Sequence, residues 1–246
     1  MPPSFHKPVS ESRRVRSDAY EMKDLNKKAF GGLLRLFLSL AVLLFLPAWT
    51  LDYWQAWIFL AVYSLSGLAV TIHLMKNDPK LLERRINAGP GSEKQRNQKI
   101  LHFLVSKALI VEVVIPAIDH RYAWSAVPPY VAAAGDVLVA LGFLIVFFAF
   151  KENTFASAII EAGTGQKTIS TGPYALMRHP MYTGWLVTFL GVPLALGSWW
   201  GLFTIIPITL VIAWRLLDEE TFLAKNLPGY SEYRNRVRYR LVPFIW

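Results

Sequence analysis

The chain contains no cysteine. Disulfide staples, thiolate metal sites and thiol nucleophiles are therefore all excluded. Charge is scarce too: 17% of the 246 residues are Asp, Glu, Lys or Arg, against roughly 25% in a soluble domain. Acidic residues are the scarcer sign, 17 against 26 basic ones, and the formal net charge is +9. His6, His73, His102 and His120 show no metal-ligand spacing such as H-E-x-x-H, so no metal site is expected. The inverted internal repeat of many transporters is also absent. What the chain has in quantity is apolar residues, 54% of the total, gathered in long blocks. That excludes a disordered chain, argues against a soluble globule and points to a bilayer.

Taking roughly 20 apolar residues per crossing, the blocks at 31–51, 54–75, 100–118 and 130–150 read as four spans. A hairpin follows at 181–197 and 199–217, whose first arm is short and carries Gly184, Gly191 and Pro193, which predict a tilt or kink. No cleavable signal peptide is legible, because the first apolar block follows the charged tail 1–30 and is long enough to span. The tail reads as a partly disordered arm ending in a surface helix, without a catalytic role.

The basic residues set the orientation. Of the 26 Lys and Arg, 23 lie in the tail, in the 76–99 loop, between spans four and five, or from Arg215 onward. Arg121 alone lies on the opposite side, and Arg35 and Lys107 lie within spans. By the positive-inside rule both termini are cytoplasmic, which requires an even number of spans. The basic excess is mostly this topology signal, with some attraction to anionic headgroups. Nucleic acid is not expected, since no basic stripe sits on a folded reader module. Tryptophans such as Trp49, Trp54, Trp124 and Trp199 cluster at span ends as an aromatic belt. Lys107, Glu112 and Asp136 are ionisable within spans, which makes them functional candidates by default. Lys107 and Glu112 are five residues apart, a poor spacing for a pair on one helix, and Lys107 with Asp136 is read as helix-packing glue.

Two stretches depart from plain apolar spans. The connection 151–182 is long for a loop, has apolar residues with which to pack, and offers Asn153, Gln166 and Thr168 as donors to a polar ligand. On the residues alone it is either a ligand-binding segment or a structured surface loop. The end of the last span places Arg215 and Glu219 at i and i+4, on one helix face, with Glu220 about 100° round from Glu219. Alone, this reads better as an arginine snorkelling from a helix end, followed by solvated acids.

Joined, the stretches are specific. Arg178-His179-Pro180-Met181-Tyr182-Thr183-Gly184 is an R-H-P-x-Y-x-G string opening the short arm. Glu219-Glu220-x-x-Leu223 closes the next, and Tyr230-x-x-Tyr233, Arg236-Val237 and Pro243-Phe244-Ile245 follow. The combination resembles the isoprenylcysteine carboxyl methyltransferase family, whose relatives include membrane phospholipid N-methyltransferases. The resemblance covers about 150–245. It implies an all-α integral membrane protein of about six transmembrane helices, with a C-terminal helical hairpin and a cytoplasmic segment that binds S-adenosylmethionine. Carried over, His179, Pro180, Tyr182, Gly184 and Glu220 fall in the cofactor elements, and Gln166 and Tyr174 match the pattern just upstream. Arg215, with Glu219, takes the catalytic and acceptor-positioning role. The implied organisation is a cytoplasmic tail (1–30), four accessory and substrate-side spans (31–149) and a methyltransferase core (150–246).

The chemistry suits these residue types. Carboxylates accept from ribose hydroxyls or an ammonium, and His179 and a helix start donate to a carboxylate. Tyrosine faces tolerate a sulfonium beside them. Methyl transfer is an in-line displacement that needs positioning more than acid or base groups. The expected reaction is O-methylation of a carboxylate on a lipid-like or prenylated acceptor drawn from the bilayer. The alternatives are N-methylation of a phospholipid or other lipid amine and, outside enzymes, a small transporter using Glu112, Asp136 and Lys107. The expected location is the plasma (inner) membrane of a prokaryote, or the endoplasmic reticulum of a eukaryote. The sequence does not address oligomeric state.

Overall fold

The computed structural model describes residues 11–87, 96–156 and 167–246, and among them every regular element is helical. α1 (Glu11–Ala48) runs through Gly31 and Gly32 without a break, so the described part of the basic tail and the first span are one helix. Residues 1–10 of that tail lie outside the described residues. α2 (Trp54–Asn77), α3 (Pro79–Asn87), α4 (Arg96–Tyr122) and α5 (Pro129–Glu152) follow, then α6 (Pro180–Ala195), α7 (Ile205–Asn226) and α8 (Tyr230–Arg236). Five stretches are long and apolar enough to cross a membrane: Met22–Ala48, Trp54–Asn77, Lys99–Tyr122, Pro129–Glu152 and Trp200–Asn226. The sixth expected span is α6. Its 16 residues reach only about 24 Å at 1.5 Å per residue. The chain bounds it sharply, with Pro180 as its first residue, Pro193 in its last turn and Gly197 beyond it at φ +73°.

α6 is short but lies deepest in the bundle, and glycine explains how. Gly184 and Gly191 face Gly142 and Gly135 of the antiparallel α5. A Cβ on Gly184 would stand 2.7 Å from the Gly142 carbonyl oxygen, and one on Gly191 would stand 2.6 Å from that of Gly135. The two backbones therefore touch, as small residues allow between membrane helices. Gly184 serves this packing rather than the approach of a ligand. The main apolar core spreads from the contact to α1, α2 and α4 through Leu44, Phe59, Val113, Val139 and Val192.

At the end rich in basic residues, α3 forms a floor. Asp78 caps it, accepting from the Leu81 N–H at 3.0 Å, and Pro79 opens it. Leu81 and Leu82 are buried under Leu74, Ala29 and Phe150, while Arg84 and Arg85 reach the residues after α5. Arg84 donates to the Thr154 carbonyl at 2.8 Å and Arg85 to that of Ala156 at 3.0 Å, with the Arg85 guanidinium 4.3 Å above the Phe150 ring. At the opposite end, buried Asp119 accepts from the Ser125 N–H (2.8 Å), the Ser125 hydroxyl (2.6 Å) and the Ser198 hydroxyl, tying two turns together. Lys107 is exposed, with its ammonium 5.3 Å from the Phe103 ring centre, so it does not join helices as the sequence suggested. Asp136 is buried, with one carboxyl oxygen that has no partner among the described residues.

The glycine contact predicts a sharp contrast between two positions. Gly142→Leu is expected to destabilise the protein by more than the ~3 kcal/mol usual for overpacking, because it pushes against backbone. Gly32→Ala, whose added Cβ meets nothing within 4 Å, should be neutral or stabilising by up to ~1 kcal/mol. Thermal unfolding in detergent micelles checks both.

Candidate active site

His179 precedes a proline, which holds it in an extended conformation (φ −127°, ψ 58°) and starts α6 at the next residue. Two main-chain bonds clamp this corner to the C-terminal tail. The Arg178 N–H donates to the Tyr239 carbonyl and the His179 N–H to the Arg240 carbonyl, both at 2.9 Å. The Thr183 hydroxyl adds a third bond, to the Leu241 carbonyl at 2.8 Å.

Glu220, on α7, is 3% exposed and lies at the centre of the corner. Its Oε1 faces Arg178 Nη1 at 3.1 Å and His179 Nε2 at 3.2 Å, and its Oε2 accepts from Arg240 Nε at 3.2 Å. Desolvation lowers the Arg178 guanidinium from its ordinary value, and the Glu220 charge works against that shift. One turn up, the Tyr182 hydroxyl donates to Glu219 Oε2 at 2.7 Å and accepts from Arg215 Nε at 3.1 Å. The i,i+4 pair read from the sequence is thus bridged by a tyrosine from the neighbouring helix.

A polar pocket opens beside this network. Tyr174, Tyr182, Tyr230 and Tyr233 give it aromatic walls, and Arg178, His179 and Glu219 give it charge and hydrogen-bonding capacity. Asn153, Lys167 and Thr168 close it from the connection after α5. Burial pushes the Tyr174 hydroxyl up to about 12, against the hydrogen bond from Asn153, and raises those of Tyr230 and Tyr233 as well. All three therefore keep their protons at neutral pH. Two polar atoms of this corner are buried with no partner among the described residues: the Tyr230 hydroxyl and Arg178 Nε.

Of the residues singled out in the sequence, Tyr174, His179, Tyr182 and Glu219 line the pocket. Glu220 does not line it: Arg178 and His179, which do, stand against its Oε1, and Arg240 holds its Oε2. Pro180 is buried at the start of α6, also off the pocket lining, and Gly184 lies against α5. Gln166 lies outside the described residues. Arg215 turns toward a second, mostly apolar cavity, which shares Met181 and Tyr182 with the first. Sequence reasoning missed Arg240, for nothing in a tail spacing reveals that the tail returns to α6. The role of Arg178 as a partner of Glu220 was hidden for the same reason.

Residues 130–228 match the family model described as phospholipid methyltransferase. Over these residues the chain is similar to that family of membrane methyltransferases. The match runs from the start of α5 to the end of α7, so it takes in the α5–α6 glycine contact and both glutamates. It begins earlier than the resemblance read from the motifs and stops short of Tyr230, Tyr233 and Arg240. Among curated proteins, the Delta(14)-sterol reductase of Mus musculus is 30% identical over 90 residues, covering 35% of this chain and 22% of its own length. The nickel-cobalt-cadmium resistance protein NccN of Alcaligenes xylosoxydans xylosoxydans is 26% identical over 136 residues, 53% of this chain and 59% of its own. The cobalt-zinc-cadmium resistance protein CzcN of Cupriavidus metallidurans is 29% identical over 106 residues, 41% and 47% respectively. The chain thus spans between about a fifth and three-fifths of the curated relatives it matches.

The corner makes a stability prediction. Glu220→Ala strands the buried Arg178 guanidinium and removes a partner of the half-buried Arg240, and should cost about 3–5 kcal/mol, the range for breaking a buried pair from one side. Amide hydrogen exchange should speed up at 239–241, where the tail is clamped. A variant with parental melting temperature and parental exchange would remove Glu220 from this anchoring role.

Proposed function

We propose that this protein transfers a methyl group from S-adenosylmethionine to a lipid-like acceptor at the basic end of the bundle, which faces the cytoplasm. One observation carries the reading. A polar pocket and an apolar cavity meet at Met181 and Tyr182, with Arg215 on the apolar side of the junction. A water-soluble donor and a membrane-borne acceptor need two such compartments, joined where the reacting atoms meet. The family match supports enzymatic methyl transfer over the transporter alternative.

The residues present fit the donor. Arg178 Nε and the Tyr230 hydroxyl are buried with no partner among the described residues, and a carboxylate can accept from both. Glu219 can accept from an ammonium or hydroxyl group, and the faces of Tyr174 and Tyr182 suit a sulfonium. S-adenosylmethionine supplies an electrophilic methyl group when bound. The chain itself orients and excludes water. Tyr182 steadies the Arg215 guanidinium, and Arg215 would hold an acceptor carboxylate through its fork so that one oxygen faces the pocket. No general base is required, since a carboxylate already carries its lone pair. O-methylation is therefore preferred on geometry, with the two guanidinium groups of Arg85 and Arg215 bordering the acceptor cavity. The second reading, N-methylation of a lipid amine, rests on the family description.

Three measurements test these proposals. Calorimetry should detect binding of S-adenosylmethionine and of its demethylated product, and no binding of either would overturn the reading. Arg215→Lys should keep cofactor affinity while methyl transfer falls about a hundredfold or more, since the fork acts mainly in the transition state. Radiolabelled product formed from a membrane extract should release volatile methanol in base if it is an ester, and retain its label if it is an amine. For orientation, reporter fusions after Met75 and after Asp119 should give opposite compartment signals.

A further inference from the structure

The apolar cavity holds a group that the proposed transfer does not use. It measures about 400 Å³, within the range of small-molecule sites. Leu40, Phe59, Leu109, Trp185, Phe189 and Ile212 form its walls. Its basic-end rim carries Arg85, Tyr182 and Arg215, and its lining along α4 runs from Val105 to Val113, about 12 Å at 1.5 Å per residue. The far end is identified by Val113, which packs in the central core with Val192 and Leu196.

Glu112 belongs to that far end. It lines the cavity, its residue is 1% exposed, and its Oε1 is buried with no hydrogen-bond partner among the described residues. A carboxyl left unmatched in an apolar, membrane-embedded wall is unfavourable unless something arrives to bond it. Lys107, the nearest basic residue on the same helix, is exposed. α4 also lies outside the stretch that matches the methyltransferase family.

We propose that the cavity takes the acceptor's apolar body lengthwise, and that Glu112 recognises a hydrogen-bond donor on that body, away from the end held at Arg215. The donor is an amine or a hydroxyl, the two groups that satisfy a carboxyl. The assignment of the reacting end rests on the proposed role of Arg215. Plain hydrocarbon tails leave Glu112 unmatched and are discriminated against, because a polar group built to be bonded penalises a ligand that lacks the partner. The acceptor is thus a two-ended amphiphile, with the group to be methylated at one end and a donor buried toward the other.

The test uses the full chain in lipid nanodiscs with three probes of equal chain length: dodecylamine, dodecanol and dodecyl methyl ether, which has no donor. Equilibrium dialysis measures bound probe above that of empty nanodiscs. The protein should bind the amine or the alcohol at least about tenfold more tightly than the ether, and whichever is preferred names the donor. Glu112→Leu should bind all three alike, and Glu112→Met repeats the test if the leucine variant does not fold. Equal binding of the three probes by the parent, or a preference that survives loss of the carboxyl, overturns the proposal. Cofactor binding is measured on the same samples and should be unchanged by either substitution. Failure of the parent to bind S-adenosylmethionine counts against the methyltransferase reading, whereas loss of probe discrimination alone counts against Glu112.

Discussion

Glu220 on α7 meets Arg178 and His179 from the corner before α6 and Arg240 from the C-terminal tail, and it does so while almost wholly buried. A buried carboxylate has few ways to remain charged at tolerable cost, so its partners must come to it. This requirement draws the R-H-P corner, the end of α7 and the C-terminal tail to one point. The main-chain bonds from Arg178 and His179 to the tail then follow, and so does the pocket that these pieces enclose. Such a cluster adds little net stability compared with an apolar replacement, but it specifies one arrangement of otherwise independent segments.

The second constraint is steric. α6 is too short to span with ease, and it is held at depth because its glycines let α5 approach to backbone contact. That approach positions Tyr182 two residues into α6, where it reaches Glu219 and Arg215 on α7. One tyrosine hydroxyl therefore joins the polar pocket to the apolar cavity. The polar pocket and the apolar cavity share Met181 and Tyr182, both from the first turn of the short helix.

Elements outside the family match complete the site. Arg84 and Arg85 of α3 hold the chain just after α5, where Asn153, Phe155 and Ala156 border the pocket. α4 contributes Glu112 to the apolar cavity, and the tail contributes Tyr230 and Tyr233 to the polar pocket and Arg240 to Glu220. The α5–α7 unit carries the shared architecture, while the surrounding helices shape what it can accept.

The helical class, the membrane character and the short arm near 181–197 were all legible in the sequence, because apolar run length and proline spacing are local properties that a bilayer constrains strongly. Motif strings singled out Tyr174, His179, Tyr182 and Glu219, and the structure gathers these four around one pocket. Glu220 was recognised as part of the site, but its place behind the pocket was not, since a carboxylate's partners are set by which chains converge on it. Gly184 read equally well as room for a ligand or for a helix, and only the position of Gly142 decided between them. Arg240 and Glu112 carried no motif. One acts through a tail that folds back and the other through a cavity between helices, and such long-range juxtapositions arise from packing alone.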